Sequence, residues 1–300
     1  MRERLWIVLL AAFVAIDIVL VVLAVRHTST GPRSSGQSQS VIISGAPSPS
    51  RSADGTTGSS SPAAESGPVL LAVTSQGVVL RADHGSCSDA QPPVVEVSGR
   101  HGRRLHETTV DGLSQVLSVR AGQGDLTVIG LDQNCSTATF SSGDDGATWA
   151  PTPGDDASWH VVAAGRRQVV VTPAGRRRTP CAPKALAPID SLAARLLCGD
   201  GRIEGTGDGG DSWVLLGSLD GAVDLSFQGV GDGVAVAVQD GCPAAFMRTV
   251  DGGTSWTRVT CLQGGAPRAV ALSGAWAVAQ VGGRLQLSTD SGGSWRKVSG

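Results

Sequence analysis

Four copies of one eight-residue pattern constrain this chain more than any other feature. They are Ser142-Gly143-Asp144-Asp145-Gly146-Ala147-Thr148-Trp149, Thr206-Gly207-Asp208-Gly209-Gly210-Asp211-Ser212-Trp213, Thr249-Val250-Asp251-Gly252-Gly253-Thr254-Ser255-Trp256 and Ser288-Thr289-Asp290-Ser291-Gly292-Gly293-Ser294-Trp295. The shared form is Ser/Thr-x-Asp-x-Gly-x-Ser/Thr-Trp, with a degraded fifth copy, lacking the Trp, expected at Arg81-Ala82-Asp83-His84-Gly85. Each residue type suits a short turn between two antiparallel strands. The Asp carboxylate accepts hydrogen bonds from the turn's own N–H groups. Gly supplies a backbone conformation that a side chain would obstruct. Trp starts the next strand and buries a large ring against the hairpin. One turn repeated along a chain means one supersecondary unit repeated.

The flanks read as short strands split by Gly-rich turns, at 268–272, 275–281, 284–288 and 294–298 in the last unit and at 222–227, 233–239, 244–249 and 255–260 in the one before. Four strands in about 40 residues is a propeller-blade pattern. From Asp to Asp the spacings are 39 residues (251 to 290), 43 (208 to 251), 64 (144 to 208) and 61 (83 to 144). The 64-residue gap holds further strand candidates at 158–164 and 167–172, expected to form a degenerate blade without the motif. The 61-residue gap is expected to contain a long loop, 99–112. The motifs are Asp boxes, and over about residues 68–300 the chain resembles the BNR / Asp-box β-propeller proteins, whose superfamily includes sialidases, sortilin-type receptors and photosystem II assembly factors. The expected fold is an all-β propeller of six four-stranded blades, with five or seven as the alternatives. The resemblance implies a structural role for Ser142, Asp144, Gly146, Trp149, Thr206, Asp208, Gly210, Trp213, Thr249, Asp251, Gly253, Trp256, Ser288, Asp290, Gly292 and Trp295.

The N-terminal part is different. Residues 5–25 are a 21-residue apolar run interrupted only by Asp17. As a helix rising ~1.5 Å per residue it spans roughly 30 Å, the thickness of a bilayer core. Arg2 and Arg4 precede it, which keeps residues 1–4 in the cytoplasm and sends the remainder across. A cleaved signal peptide ending near Val22-Leu23-Ala24 is the rival, but its apolar core is usually about 7–15 residues. Residues 26–67 are rich in Ser, Thr, Gly and Pro and are expected to be a disordered linker, with Val41-Ile42-Ile43 its one apolar patch. All six cysteines follow the linker, and an even count on the extracytoplasmic side reads as three disulfides. Six cysteines allow 15 connectivities. In the blade model Cys242 and Cys261 meet across one hairpin opposite the motif, Cys181 and Cys198 flank the hairpin around Asp190-Ser191, and Cys87 with Cys135 joins the first blade to the second.

Composition bounds the function. With 17% charged residues and a net charge of −2, the chain lacks the large basic surface of a nucleic-acid binder. One Asn, two Lys and no Tyr fit a GC-rich bacterial genome. Sialidases use a Tyr nucleophile, so the absence of Tyr excludes their chemistry. Gly205 to Gly210 matches G-x-G-x-x-G but sits in a motif turn rather than opening a helix. The acidic run 208–211 lacks the terminal Glu of a calcium loop, and no metal or cofactor is expected. His106-Glu107 and His160 are isolated acid–base candidates. Arg100, His101, Arg103, Arg104 and His106 form one basic cluster; Arg166, Arg167, Arg176, Arg177 and Arg178 form a second. Either can meet an anionic partner. The expectation is a single-pass membrane protein with a non-catalytic extracytoplasmic binding or assembly module for a protein, glycan or lipid partner. The alternative is a glycan-active hydrolase of sialidase-like fold.

Overall fold

The computed structural model describes residues 68–88, 92–122, 124–152, 158–162 and 168–299, which form six antiparallel sheets. The membrane span expected at 5–25 and the linker expected at 26–67 lie outside the described residues, as do Arg166 and Arg167. Among the described residues no helix is long and apolar enough to cross a membrane.

Each sheet is one blade built from consecutive strands. Blade 1 holds β1 (Val69–Val73), β2 (Val79–Asp83), β3 (Val95–Gly99) and β4 (Arg103–Thr108). Blade 2 holds β5 (Leu113–Ala121), β6 (Leu126–Asp132), β7 (Thr137–Ser142) and β8 (Ala150–Pro151). Blade 3 holds β9 (His160–Val161), β10 (Val169–Thr172) and β11 (Gly175–Arg178). Blade 4 holds β12 (Pro183–Pro188), β13 (Ala194–Cys198), β14 (Arg202–Thr206) and β15 (Val214–Ser218). Blade 5 holds β16 (Ala222–Phe227), β17 (Gly233–Gln239), β18 (Cys242–Thr249) and β19 (Thr257–Cys261). Blade 6 holds β20 (Pro267–Ser273), β21 (Trp276–Val281), β22 (Arg284–Ser288) and β23 (Arg296–Lys297). The first strands β1, β5, β9, β12, β16 and β20 touch in that order and close back on β1, which makes the six-bladed propeller.

The core lies between blades. A middle strand is covered on both faces by neighbouring blades, so β17 has five consecutive buried residues instead of the alternation of a half-exposed strand. The seams are filled accordingly: Leu80, Val97, Val116 and Phe140 pack between blades 1 and 2, and Phe246, Val270 and Ala279 between blades 5 and 6. The ring closes without a shared sheet. Val73 and Val79 of blade 1 pack on Val278 and Leu287 of blade 6, and Leu105 N–H on β4 donates to Ser299 O at 2.9 Å. His101 meets Trp276 edge-on at 5.3 Å, so this member of the basic cluster is part of the closure.

Three expectations need correction. Blade 3 has three strands among the described residues, not four. Trp159 Nε1 donates to Asp190 O beside the first turn of blade 4, and Ala174, between β10 and β11, lies against Gly209 of the blade-4 motif turn. The inner strand β9 therefore runs opposite to the other inner strands, and an odd strand number returns the chain to the face where β12 begins. Residues 99–112 are not a long loop: they hold β4, the outer strand of blade 1, reached by a tight turn at Arg100–Gly102. The fifth motif copy is not a motif turn. Asp83 ends the second strand, and both its oxygens accept from Arg81 Nη2, at 2.9 and 3.0 Å.

Strands alternate in direction, so the motif turns, which join third to fourth strands, share one face with the first-to-second turns. The opposite face carries the disulfides. Cys87–Cys135 ties blade 1 to blade 2, while Cys181–Cys198 and Cys242–Cys261 close blades 4 and 5, with Cα separations of 5.8, 5.7 and 5.7 Å. All three pairs are those expected, and each removes chain entropy from the unfolded state.

At the motif Gly positions the turn lies close against the preceding blade. Gly146 faces Val97, Gly253 faces Ile203 and Gly292 faces Phe246, each a third-strand residue of the preceding blade. Gly292 has a φ of 97°, and a Cβ there would run into the Phe246 ring. Gly292→Ala is expected to cost about 2–3 kcal/mol in urea unfolding, whereas Gly143→Ala, with nothing within 4 Å, leaves the midpoint unchanged.

Candidate functional site

Each fixed position of the repeated motif before the Trp has a bond to make. In the last copy the Ser288 hydroxyl donates to Asp290 Oδ1 at 2.7 Å and accepts the Gly292 N–H at 2.8 Å. Asp290 Oδ1 also accepts the Ser294 N–H at 2.8 Å, and Oδ2 accepts the Ser294 hydroxyl at 2.6 Å. The same four contacts recur around Asp144, Asp208 and Asp251. The fourth strand begins one residue after the Trp, since the preceding Ser/Thr is committed to the carboxylate. Trp256 and Trp295 donate from Nε1 to the carbonyls of Gly253 and Gly292, at 3.2 and 2.9 Å. Trp149 and Trp213 are partly buried against the 1–2 and 3–4 blade interfaces.

These hydroxyl and amide donors, the hydroxyl at position seven first, hold all four carboxyls down to about 2. Their native pKa lies below the unfolded one, so the stabilisation is full above about pH 4 and is lost as pH falls through about 2. The carboxylates are consumed by their own turns and are free for neither metal nor catalysis. Among the described residues no cluster of His, Cys, Asp and Glu is arranged to hold a metal ion.

The expected anion-binding arginines divide. Arg100 pairs with Asp145 at 3.4 Å and Arg177 with Asp211 at 2.7 Å, each joining a blade to the motif turn of the next. Arg103 and Arg104 on β4, and Arg176 and Arg178 on β11, are exposed. The two sets sit on blades 1 and 3 with blade 2 between them, so they do not form one patch. His106 and Glu107 are adjacent on a strand and point to opposite sides of it, which removes them as an acid–base pair. His160 is buried, and its Nδ1 lies 2.8 Å from Ser158 O. Burial above all lowers its pKa, and Arg120 and Arg176 push the same way.

A large concave feature, which the sequence did not reveal, is the central channel of about 1590 Å³. It is lined by the six inner strands, and its ionisable groups sit at particular levels. At the disulfide-side mouth are Lys184 near the start of β12, Arg268 near the start of β20, and His84 just after β2. Burial lowers the His84 pKa, which leaves Lys184 and Arg268 as the charges of this mouth. Lys184 Nζ donates to Ala222 O at 2.5 Å, and Arg268 has interactions of its own. The described lining holds two carboxylates, Asp190 and Asp224. Asp190 Oδ1 accepts the N–H groups of Leu192 and Ala193, both at 2.7 Å. Asp224 Oδ2 accepts the Val270 N–H at 2.8 Å, while Ser226 and Gln228 accept from Leu272 and Gly274 at 3.1 and 2.7 Å. Three alternate side chains, two on β16 and Gln228 just after it, thus satisfy three alternate amides, two on β20 and that of Gly274 just after it.

Asp224 is half-buried, with one edge on the channel and protein on its other sides, and desolvation pushes its carboxyl up to about 7 against the pull of the Val270 and Leu225 amides. No family model matches the chain, and no curated protein matches it in sequence. Solved structures do match. YCF48 bound to a D1 peptide is 14% identical with a TM-score of 0.31, over 76% of this chain and 66% of that one. The GH74 xyloglucanase of Xanthomonas campestris is 15% identical with a TM-score of 0.34, over 76% and 38%. The Aleuria aurantia lectin in complex with Fucalpha1-6GlcNAc is 11% identical with a TM-score of 0.48, over 77% and 94%. The chain spans less than two thirds of the length of the first two. At these identities the likeness is one of fold.

Two pH responses follow. Thermal melts should lose stability as pH drops from about 4 to about 2, and Asp290→Asn, with one such carboxyl fewer, should lose it less steeply. For Asp224 the sign reverses, because the native state binds the extra proton between about pH 4 and 7 and its contribution falls as pH rises. Asp224→Asn keeps an acceptor for the Val270 N–H, so it should match the wild type near pH 4 and melt higher at pH 8.

Proposed function

We propose that this chain is a non-catalytic binding or assembly module of the Asp-box propeller type, a bacterial protein displayed on the extracytoplasmic side of a membrane by residues 5–25. Its partner presents negative charge to the disulfide-side mouth of the channel. The observation that carries this reading is the pair of cations at that mouth, with a third channel cation, Arg120, near the C-terminal end of β5 beside His160. Lys184 and Arg268 stand at one mouth, while both carboxylates of the described lining are bound to backbone amides. Three disulfides with no free cysteine support an oxidising, extracytoplasmic location. The four closed motif turns support the Asp-box assignment.

A glycan-active hydrolase needs a proton-donating carboxyl and a second carboxylate about 5–10 Å away, both open to the sugar. Asp224 has a raised pKa suited to the acid, but Asp190 is tied into its own turn and held below its ordinary value by the Leu192 and Ala193 amides. The channel aromatics Trp159 and Phe227 are buried and offer no platform for a sugar ring.

Crosslinked capture from native membranes tests the proposal. The partner should be lost as salt rises and lost from a Lys184→Glu, Arg268→Glu variant whose melting shows that it is folded. If that variant retains the partner while Arg103→Glu, Arg104→Glu loses it, the site is the rim of blade 1 and the channel assignment fails.

A further inference from the structure

Large aliphatic residues grouped at exposed turn tips mark a face that another surface covers. On the motif face such residues gather in one sector. Leu192 lies in the turn between β12 and β13, Val230 in that between β16 and β17, and Val250 just before the motif Asp of blade 5. They are 56%, 63% and 75% exposed. The three other motif copies have Gly143, Gly207 and Thr289 where blade 5 has Val250. The sector is held as one surface. Gly209 N–H donates to Leu192 O at 2.8 Å and Gly252 N–H to Gly231 O at 2.9 Å, while Arg195 of blade 4 reaches Gly252 O and Val230 O of blade 5.

The same sector is acidic. Asp208 and Asp251 are exposed, and each uses Oδ2 for one hydroxyl, which leaves room on that oxygen for a further donor. Asp190, two residues before Leu192, is a third exposed carboxylate. Asp211 and Asp232 are paired with Arg177 and Arg248, and the charge of Arg195 is met beneath the surface by carbonyls. Across the ring the same face is basic. Arg103 and Arg104 open β4 directly after the third-to-fourth turn of blade 1, exposed and with no acidic partner among the described residues.

We propose that this face is the interface of a homodimer, in which the acidic, aliphatic sector of blades 4 and 5 takes Arg103 and Arg104 of a second copy. A two-fold axis lying in the plane of the face, midway between the two sectors, sets each sector on its counterpart, so one contact is made twice. Arginine suits both features of the sector. Its stem covers the aliphatic tips while its guanidinium reaches the carboxylates. The face is also large enough. Blades four strands deep extend about 15–20 Å outward from the channel, which gives the ring a face of about 1,000 Å² or more. A stable complex buries ~800 Å² per partner. Opposite charges on one face of one chain complement each other in a second copy, which favours that occupant over a foreign protein. Lys184 and Arg268 lie on the opposite face, so the dimer leaves their mouth of the channel open.

Sedimentation of the full chain in detergent micelles tests this. The wild type should form a dimer that weakens as salt rises. An Arg103→Glu, Arg104→Glu variant and a separate Val230→Lys, Val250→Lys variant should each self-associate about tenfold or more weakly. Melting should be unchanged in both, because all four side chains are exposed. An equimolar mixture of the two variants should dimerise again, since each introduced charge then meets its opposite. A wild type that stays monomeric at every concentration reached would overturn the proposal. Dimers that persist in both variants, or a mixture that stays monomeric, would do the same. A monomeric wild type whose crosslink to another protein in native membranes is lost from Val230→Lys, Val250→Lys would assign the patch to that protein instead. None of these outcomes bears on whether Lys184 and Arg268 take a partner.

Discussion

The propeller depends on a knot of hydrogen bonds centred on four carboxylates. In each motif turn one Asp accepts two hydroxyls and an amide, and the first hydroxyl in turn accepts the Gly amide. Charge-assisted bonds of this kind are the stronger ones, and here they use only residues within eight positions of one another. The turn is therefore fixed by local chemistry before any blade packs. What it fixes is the position of one Gly. Without a Cβ, that Gly lets the turn lie flat against the third strand of the preceding blade, and the following Trp fills the same seam.

The seams differ in how they are closed. Blades 4 and 5 share the buried Arg195, whose guanidinium donates to Gly252 O at 3.0 Å and Val230 O at 2.6 Å and lies over Phe227 at 5.6 Å. Its charge is satisfied by carbonyls of the neighbouring motif turn and first turn, which is why burial is tolerated despite lowering its pKa. Blades 5 and 6 share the ladder from β16 to β20, which gives an inner edge the partners a sheet would have supplied. Blades 6 and 1 rely on apolar packing, the Leu105–Ser299 bond and the side-chain bonds from Arg81 to Gln280 and from Arg296 to His101 O. On the other face three disulfides complement the turns, so the two ends of the ring are held by different chemistry.

The channel follows from this ring. Its inner strands begin at the disulfide face in every blade but blade 3, and that shared direction places Lys184 and Arg268 at the same mouth although 84 positions separate them. Blade 3, with its reversed inner strand, places His160 and Arg176 near Arg120 of blade 2. Charge in this protein is thus organised by strand direction rather than by runs in the sequence. Arg177 illustrates the point, since it belongs to a basic run but pairs with an Asp in the next blade.

The sequence by itself determined what local bonds and pairing rules decide: the motif turns, the strand-rich units around them, a blade between residues 144 and 208 without the motif, and all three disulfides. Those features rest on contacts within a hairpin or between neighbouring units. It misread residues 99–112, because β4 is an outer strand whose polar, Arg-rich residues look like a loop when exposure rather than alternation sets them. It misread Asp83, because an Asp before a Gly does not reveal whether a turn or an Arg takes its oxygens. Only the tertiary structure decided the channel, the buried Arg195 and the ladder at Asp224. Each arises where blades meet, or fail to meet, across long stretches of chain, and no local pattern records which side chain will face a neighbour across that seam.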